Sequence, residues 1–252
     1  MPGIFQLIGD AWNFGRKQPA LIHVSFWLLL LPMLAMSLLS RLIAMQRFSN
    51  AATSGPATAA SLLMIVLAVV FVWGMACVLI IGKRMLAAKA GRSRTSFKAV
   101  RREARGFIIP LILTSILRSV FAFLWALLLI IPGIIYSVRT AFYFIIIVEE
   151  GVSYRAALQR SKEIARGHVW DIFWRFVVLA IILFAPISIV TAILHAFSDT
   201  YAAQFGTDLL STIFTTLSAV LFILCIVQMY GSLRPATAPV TGSVARSAKK
   251  RK

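Results

Sequence analysis

The chain has 252 residues, of which 60% are hydrophobic and 13% are charged, yet its formal net charge is +18. A soluble domain of this length would need far more polar surface, so the composition excludes an ordinary soluble protein. The apolar residues come in long blocks, which predict membrane-spanning helices. In such a chain the excess of Lys and Arg favours anchoring at anionic lipid headgroups on the cytoplasmic side and argues against nucleic acid as a partner.

The first element in chain order is an amphipathic stretch over residues 1–19. Its apolar face is formed by Ile4, Phe5, Ile8, Trp12 and Phe14. Asp10, Arg16 and Lys17 are polar, and Pro19 ends the pattern. This combination predicts a short helix that lies in the membrane interface.

Five apolar blocks follow, and the third of them is too long for a single span. It covers residues 107–148, and its 42 residues are enough for two crossings at about 20 residues each. Basic segments flank both of its ends, so both ends are expected in the cytoplasm and the block must form a hairpin. The predicted spans are about 20–45, 59–82, 107–131, 134–148, 172–196 and 209–232.

The loops differ in their content of Lys and Arg, and this difference predicts the orientation. The segment 83–106 carries nine basic residues, whereas loop 47–58 has one and loop 195–208 has none. Both termini are therefore expected in the cytoplasm. The fold class is an all-α integral membrane protein with six transmembrane helices in one domain, residues 1–234. A basic tail, residues 235–252, is predicted to be disordered.

The hairpin block contains one strong helix breaker, the pair Pro132 and Gly133. We predict that this pair forms the turn on the outer side. The span after it, 134–148, has only 15 residues, about 22 Å of helix against a hydrocarbon core of about 30 Å. The turn could therefore dip into the membrane and line a cavity, or it could be the tight turn of a plain helical hairpin.

Two arginines lie within the same block. Arg139 is expected to reach the outer headgroups, because helical side chains lean toward the helix N-terminus. Arg118 lies on the preceding helix and leans inward, so the two are not expected to share one anion. Intramembrane charges are functional by default. We favour headgroup contacts over substrate binding for both.

A cytoplasmic amphipathic helix is predicted between spans 4 and 5, with Ser153 at its start and Gly167 at its end. One face holds Tyr154, Ala157, Leu158, Ser161 and Ile164, and another holds Arg155, Gln159, Lys162 and Arg166. Arg160 and Arg166 join Arg118 and Arg139 as candidate contacts for lipid headgroups or other anions. The helix fits a linker that lies on the membrane, and it also fits a docking site for a cytosolic protein.

Several of these residues resemble a known pattern. It is carried by Pro132-Gly133-Ile134, by Glu150-Gly151-Val152-Ser153, and by Ala157-Leu158-Gln159-Arg160-Ser161 through Gly167. Over roughly residues 107–175 the chain resembles the membrane domain of glycerophosphoryl diester phosphodiesterase and related uncharacterised six-span bacterial inner-membrane proteins. The resemblance implies a multi-pass protein of the bacterial inner membrane. It does not imply phosphodiesterase activity, which belongs to a separate soluble barrel domain that this chain is not expected to contain.

The acids and histidines do not form a catalytic pattern. The eight acids are scattered, the three histidines are isolated, and no hydrolase or phosphate-loop motif occurs. Glu149 and Glu150, with Glu163 and His168, are interpreted as solvated or helix-capping charges. We therefore expect a non-enzymatic protein without metal or cofactor, acting as a scaffold that binds anionic lipid. The alternatives are a transporter or lipid translocator that uses the break at Pro132-Gly133, and a membrane enzyme.

Overall fold

The computed structural model describes residues 3–48, 54–87, 97–197 and 200–234. This part of the chain is almost entirely helical and contains no strand, which confirms the predicted fold class. The basic tail, 235–252, lies outside the described residues. In chain order the elements are α1 (Ile4–Lys17), α2 (Pro19–Val24), a π-helix (Ser25–Leu30), α3 (Leu31–Phe48), α4 (Ser54–Ala87), α5 (Phe97–Ala104), a 3-10 turn (Arg105–Phe107), α6 (Ile108–Leu128), α7 (Ile130–Arg139), α8 (Tyr143–Glu150), α9 (Tyr154–Ile164), α10 (Val169–Ala196) and α11 (Tyr201–Leu233).

Six stretches of the described chain are long and apolar enough to cross a membrane, as predicted. They are Pro19–Ile43, Thr58–Lys83, Phe97–Leu128, Ile130–Glu150, Val169–Ala196 and Ala203–Leu233. The fourth stretch has 21 residues and begins earlier than the predicted span 134–148. A straight helix of that length would measure about 31 Å, against about 22 Å for the predicted span. This stretch is not straight, however, because it consists of α7 and α8.

The buried core lies where α4, α8 and α11 pack together. Residues 76–81 of α4, 145–148 of α8 and 223–227 of α11 are all buried. The buried ring of Phe142 contacts the rings of Phe176 and Tyr230, with centroids 6.1 and 6.2 Å away. The short helix α8 therefore lies within the buried core of the bundle.

Large apolar side chains cover the outside of the bundle. At the tip of the α6–α7 hairpin, Leu127 and Ile130 are each 74% exposed. On α10, Ile181 and Ile189 are exposed as well. Apolar surface of this extent is typical of helices that face lipid.

The N-terminal helix α1 packs on the bundle through Leu7 and Ala11, which are buried. Of the predicted apolar face, Ile4, Ile8 and Phe14 pack against the buried core, whereas Phe5 is 81% exposed and Trp12 44% exposed. Leu7 and Ala11 are four residues apart and hence share one stripe of the helix. The location of α1 in a membrane interface stays a prediction.

The turn between α6 and α7 lies at Leu129, so the predicted turn at Pro132 and Gly133 is wrong. Leu129 has an extended backbone (φ −162°, ψ 130°), and its N–H donates to the Trp125 carbonyl at 3.0 Å. Pro132 lies in the first turn of α7, where an N–H group would have no partner within the helix. The proline therefore starts the second helix of the hairpin and does not form the turn.

Gly133 allows α6 and α7 to approach each other closely. It is buried inside α7, and a Cβ at this position would lie 2.9 Å from the Ala126 Cα. Small residues are the usual means by which membrane helices pack this tightly. The glycine is thus needed for packing, whereas the sequence suggested that it was needed for a turn.

Replacing Gly133 with alanine is expected to lower the free energy of unfolding by about 2 kcal/mol, because the new Cβ forces the two helices apart. Thermal unfolding in detergent measures this loss. Gly206→Ala is the matched control, since Gly206 also lies in a helix but has open space around it. Equal melting temperatures for the two variants would contradict the assigned role of Gly133.

Candidate functional site

The fourth apolar stretch is interrupted at residues 140–142, between α7 and α8. At the break the Ala141 N–H donates to the Val138 carbonyl at 3.2 Å, and the Tyr143 N–H donates to the Thr140 carbonyl at 3.4 Å. A helix that ends within an apolar stretch leaves backbone groups that other parts of the protein must satisfy. Two side chains from neighbouring helices perform this function.

The hydroxyl group of Ser161, on α9, joins both sides of the break. Its Oγ donates to the Arg139 carbonyl at 2.9 Å and accepts from the Phe142 N–H at 3.1 Å. Ser161 is completely buried. The predicted buried face of α9 therefore has a specific role, which is to hold the break in the fourth stretch.

The guanidinium group of Arg118, on α6, binds the end of α7. Its Nε donates to Thr140 Oγ1 at 3.0 Å, and its Nη2 donates to the Ser137 carbonyl at 3.1 Å. The Thr140 hydroxyl in turn donates to the Tyr136 carbonyl at 2.8 Å. With the bond from Ser161, each of the last four carbonyl groups of α7 accepts a hydrogen bond.

The ends of α9 and its buried face are largely as predicted. Ser153 is its N-cap residue, but the serine side chain makes no capping bond. The next residue, Tyr154, has φ 57°, and its N–H donates to Thr114 Oγ1 at 2.9 Å. Ala157, Leu158, Ser161 and Ile164 are buried, whereas Tyr154 is exposed. Gly167 adopts φ +86°, which favours glycine at the end of the turn after α9.

The outer face of α9 and the last residue of α7 form a surface that we call the basic shelf: Arg139, Arg155, Gln159, Lys162 and Arg166. It contains two clefts of about 520 and 490 Å³, which share Gln159 and Lys162. In the described part of the chain, none of the four cations is ion-paired with a carboxylate. The shelf therefore carries an excess of positive charge, although the Glu163 carboxylate also lines its first cleft.

Aromatic rings form the floor of the second cleft. Phe121, Trp125 and Tyr136 line it beneath Arg155 and Lys162. The Lys162 Nζ lies 4.7 Å from the centroid of the Tyr136 ring, within the range of a cation–π interaction. Cations above aromatic rings are typical of surfaces at the level of lipid headgroups.

The prediction that Arg139 reaches the outer headgroups is not compatible with the prediction that α9 is cytoplasmic. Arg139 is the last residue of α7 and lies beside Gln159, Lys162 and Arg166 of the basic shelf. It therefore lies on the same side of the molecule as α9, which was predicted to be cytoplasmic. The reason is the break after α7, which brings the end of that helix against α9. Arg118 lines a different cleft, in agreement with the expectation that the two arginines do not share an anion.

Arg160, a predicted anion contact, already binds two carboxylates. Its Nε lies 3.2 Å from Glu150 Oε2, and its Nη1 lies 3.3 Å from Glu163 Oε2. Burial alone would lower the pKa of the Arg160 guanidinium, but the charges of Glu150 and Glu163 raise it above the usual value. We assign Arg160 to the internal ion pairs and exclude it from the basic shelf.

The two consecutive glutamates, Glu149 and Glu150, have a role that the sequence did not predict. Glu149 pairs with Lys83 of α4 at 3.6 Å and with Arg234, just after α11, at 3.1 Å. The Tyr230 hydroxyl donates to Glu150 Oε1 at 2.9 Å. These contacts join the ends of α4, α8 and α11. The signal in the sequence was that Lys83, Glu149 and Arg234 each end a predicted span on the same side of the membrane.

A second cluster of charged side chains lies at the opposite end of α11, and the sequence did not predict it either. Asp208 contacts the guanidinium of Arg41, and its Oδ1 lies 2.9 Å from His195 Nε2. Asp208 was predicted to be scattered and His195 isolated, because the three residues of this group lie far apart in the sequence. Among the described residues, no group of three or more His, Cys, Asp or Glu side chains could hold a metal ion.

Arg160→Gln is expected to destabilise the protein by about 2 kcal/mol, because Glu150 would lose its charged partner while remaining mostly buried. The control is Arg155→Gln, which removes an exposed and unpaired cation from the same helix and should change stability by less than about 0.5 kcal/mol. Chemical or thermal unfolding in detergent compares the two. A larger loss for Arg155→Gln would show that the pairing with Glu150 does not stabilise α9.

The residues behind the family resemblance surround the break in the fourth stretch. Pro132 and Gly133 lie in the first half of α7, Ser161 bonds the backbone after its end, and Gly167 follows α9. The resemblance itself stays a prediction, because the chain matches no family model, no curated protein and no solved structure.

Proposed function

We propose that this protein is a non-enzymatic, multi-pass protein of the bacterial inner membrane that binds anionic lipid headgroups at its basic shelf and serves as a lipid-associated scaffold. The observation that carries the proposal is the set of four cations, Arg139, Arg155, Lys162 and Arg166, which share one exposed surface without carboxylate partners. An excess of positive charge beside apolar helices favours a ligand that is itself an anion at a membrane surface.

The chemistry of the shelf suits a phosphate group. Arginine presents a planar fork that can bind two phosphate oxygens, and lysine adds a mobile point charge. Below these cations, Trp125 and Tyr136 offer ring surfaces to the glycerol and upper acyl region. Each basic residue near an anionic membrane surface contributes about 1 kcal/mol of attraction. Several such residues together would hold a headgroup that a single exposed cation would not.

The alternative of a transporter or lipid translocator depended on a broken helix that offers free backbone groups to a solute. The interruption lies at residues 140–142, and the carbonyl groups before it already accept bonds from Arg118, Thr140 and Ser161. No observation at the break therefore favours transport over scaffolding.

The proposed orientation puts both termini and the basic shelf in the cytoplasm, as the distribution of Lys and Arg predicts. A cysteine at Ala203 should react from outside intact cells with a thiol reagent that cannot cross the membrane. A cysteine at Gln159, which is exposed on the shelf, should react only after the cells are opened. The reverse pattern would place the shelf on the outer side and contradict the proposed orientation.

Lipid binding at the shelf can be measured with the full chain in nanodiscs. The double variant Lys162→Gln/Arg166→Gln should bind phosphatidylglycerol roughly 30-fold more weakly than the unaltered protein, if each cation contributes about 1 kcal/mol. The matched control is Lys98→Gln/Arg102→Gln, which removes the same charge from exposed positions on α5. Equal losses in both variants would show that only the net charge matters and that the shelf is not a site.

A further inference from the structure

A groove of about 900 Å³ lies between the α6–α7 hairpin on one side and α8, α10 and α11 on the other. The groove is separate from the basic shelf, because one face of α7 lines the groove and another face lines the shelf. Ile130, Ile134 and Ser137 face the groove, whereas Tyr136 and Arg139 face the shelf. The groove is within the size range of ligand sites in proteins, about 300–1,000 Å³.

The walls of the groove are apolar and rich in aromatic rings. Phe123 and Ala126 of α6 stand opposite Phe173, Phe176 and Ala180 of α10. The single charged residue among those that line it is Arg118. A ligand that used the whole groove would therefore need a long apolar part and one negative group.

Arg118 retains the capacity to bind that negative group. A guanidinium has five N–H donors, and Arg118 uses Nε and Nη2 for Thr140 and Ser137. The end of the α7 dipole supplies only about half of an opposite charge. No carboxylate is paired with Arg118 in the part of the chain that the structure describes. A half-buried cation of this kind favours an oxyanion, which accepts strong charge-assisted bonds.

The distances along α6 fit an acyl chain attached to such an oxyanion. From Arg118 to Ala126 there are eight residues, or about 12 Å of helix. The groove continues to Ile130, where the exposed apolar tip of the hairpin begins. A chain whose head lies at Arg118 would thus run along the groove toward the part of the molecule that faces lipid.

We propose that this groove holds one acyl chain of an anionic phospholipid, with the lipid phosphate bound to Arg118. A free phosphate would use the arginine and leave the apolar walls empty, whereas a neutral hydrocarbon would use the walls and leave the arginine without an anionic partner. A phospholipid uses both. The site goes beyond the headgroup binding proposed for the basic shelf and does not depend on it.

The test uses the full chain in nanodiscs with phospholipids that carry a photoactivatable group on one acyl chain, followed by mapping of the labelled peptides. Phosphatidylglycerol is expected to label 122–126 and 173–180 roughly tenfold more strongly than phosphatidylcholine with the same chains. Arg118→Gln should reduce the labelling by phosphatidylglycerol to the level of phosphatidylcholine. Equal labelling by the two lipids in the unaltered protein would overturn the proposal.

A second pair of variants leaves Arg118 intact and covers the case in which Arg118→Gln does not fold. Ala180→Phe fills the groove and should remove the excess labelling of 122–126 by phosphatidylglycerol over phosphatidylcholine. Ile181→Phe adds a ring at the next position of α10, which is exposed and outside the groove lining, and should leave the labelling unchanged. Equal effects of the two substitutions would show that the groove is not the site. A competition experiment adds a second criterion: if oleate displaces the labelled lipid as effectively as phosphatidylglycerol does, the proposal of a phospholipid site is overturned.

The basic-shelf variant Lys162→Gln/Arg166→Gln separates the two proposals. Groove labelling should persist in this variant, since neither residue lines the groove. Loss of groove labelling in the shelf variant would overturn the claim that the sites are independent. Binding at the shelf and labelling in the groove can thus fail separately.

Discussion

Replacing Ser161 with alanine is expected to lower the free energy of unfolding by about 2–4 kcal/mol, because two buried backbone groups lose their partner at once. One is the Arg139 carbonyl, which accepts a hydrogen bond from Ser161 Oγ at 2.9 Å. The other is the Phe142 N–H, which donates to the same Ser161 Oγ at 3.1 Å. Because α9 packs against an apolar stretch that excludes water, no water molecule would replace the hydrogen bonds of the lost hydroxyl. Thermal unfolding in detergent should show a clear decrease in melting temperature.

Ser153→Ala is the matched control for this prediction. Ser153 lies on the same segment, but its side chain makes no capping hydrogen bond, so the substitution should change stability by less than about 0.5 kcal/mol. A melting temperature for Ser161→Ala as high as that of Ser153→Ala would mean that the break does not depend on the serine hydroxyl. Ser161→Thr, which keeps a hydroxyl, should retain part of the stability.

The sequence predicted the helices well because long apolar blocks and the period of α9 are local signals. It did not predict the break at residues 140–142. The residues there are Thr140, Ala141 and Phe142, and none of them is a glycine or proline. The break is stabilised by side chains from α6 and α9, and a single sequence does not show which distant helices meet. The strong local breaker, Pro132-Gly133, therefore indicated an interruption at that pair and not at residues 140–142.

The candidate site was predictable to the same limited extent. The polar face of α9 was correct, since Arg155, Gln159, Lys162 and Arg166 are exposed together. Arg160 was predicted to be an anion contact, although its neighbours in space are two glutamates. Contacts between residues far apart in the chain explain the error, as they do for Lys83 and Glu149, which are 66 positions apart.

Gly74 of α4 lies in close contact with the backbone of the first span. A Cβ at Gly74 would lie 2.5 Å from the Leu28 carbonyl oxygen and 2.8 Å from Leu29 Cδ2. Leu28 belongs to the π-helix Ser25–Leu30, a form that is rare and costly unless its surroundings stabilise it. The absence of a side chain at Gly74 allows α4 to pack directly on this π-helix.

Gly74→Ala is therefore expected to destabilise the protein by about 3 kcal/mol, although alanine is the better helix former by about 1 kcal/mol. The added Cβ meets backbone atoms, which cannot rotate away as a side chain can, so α4 must move away from the first span and leave gaps in the core. The control is Gly9→Ala in α1, where a Cβ has no neighbour within 4 Å and the higher helix propensity should leave stability unchanged or slightly raised. If Gly74→Ala melts at the same temperature as Gly9→Ala, the π-helix and α4 are not in the tight contact on which the packing of the first span depends.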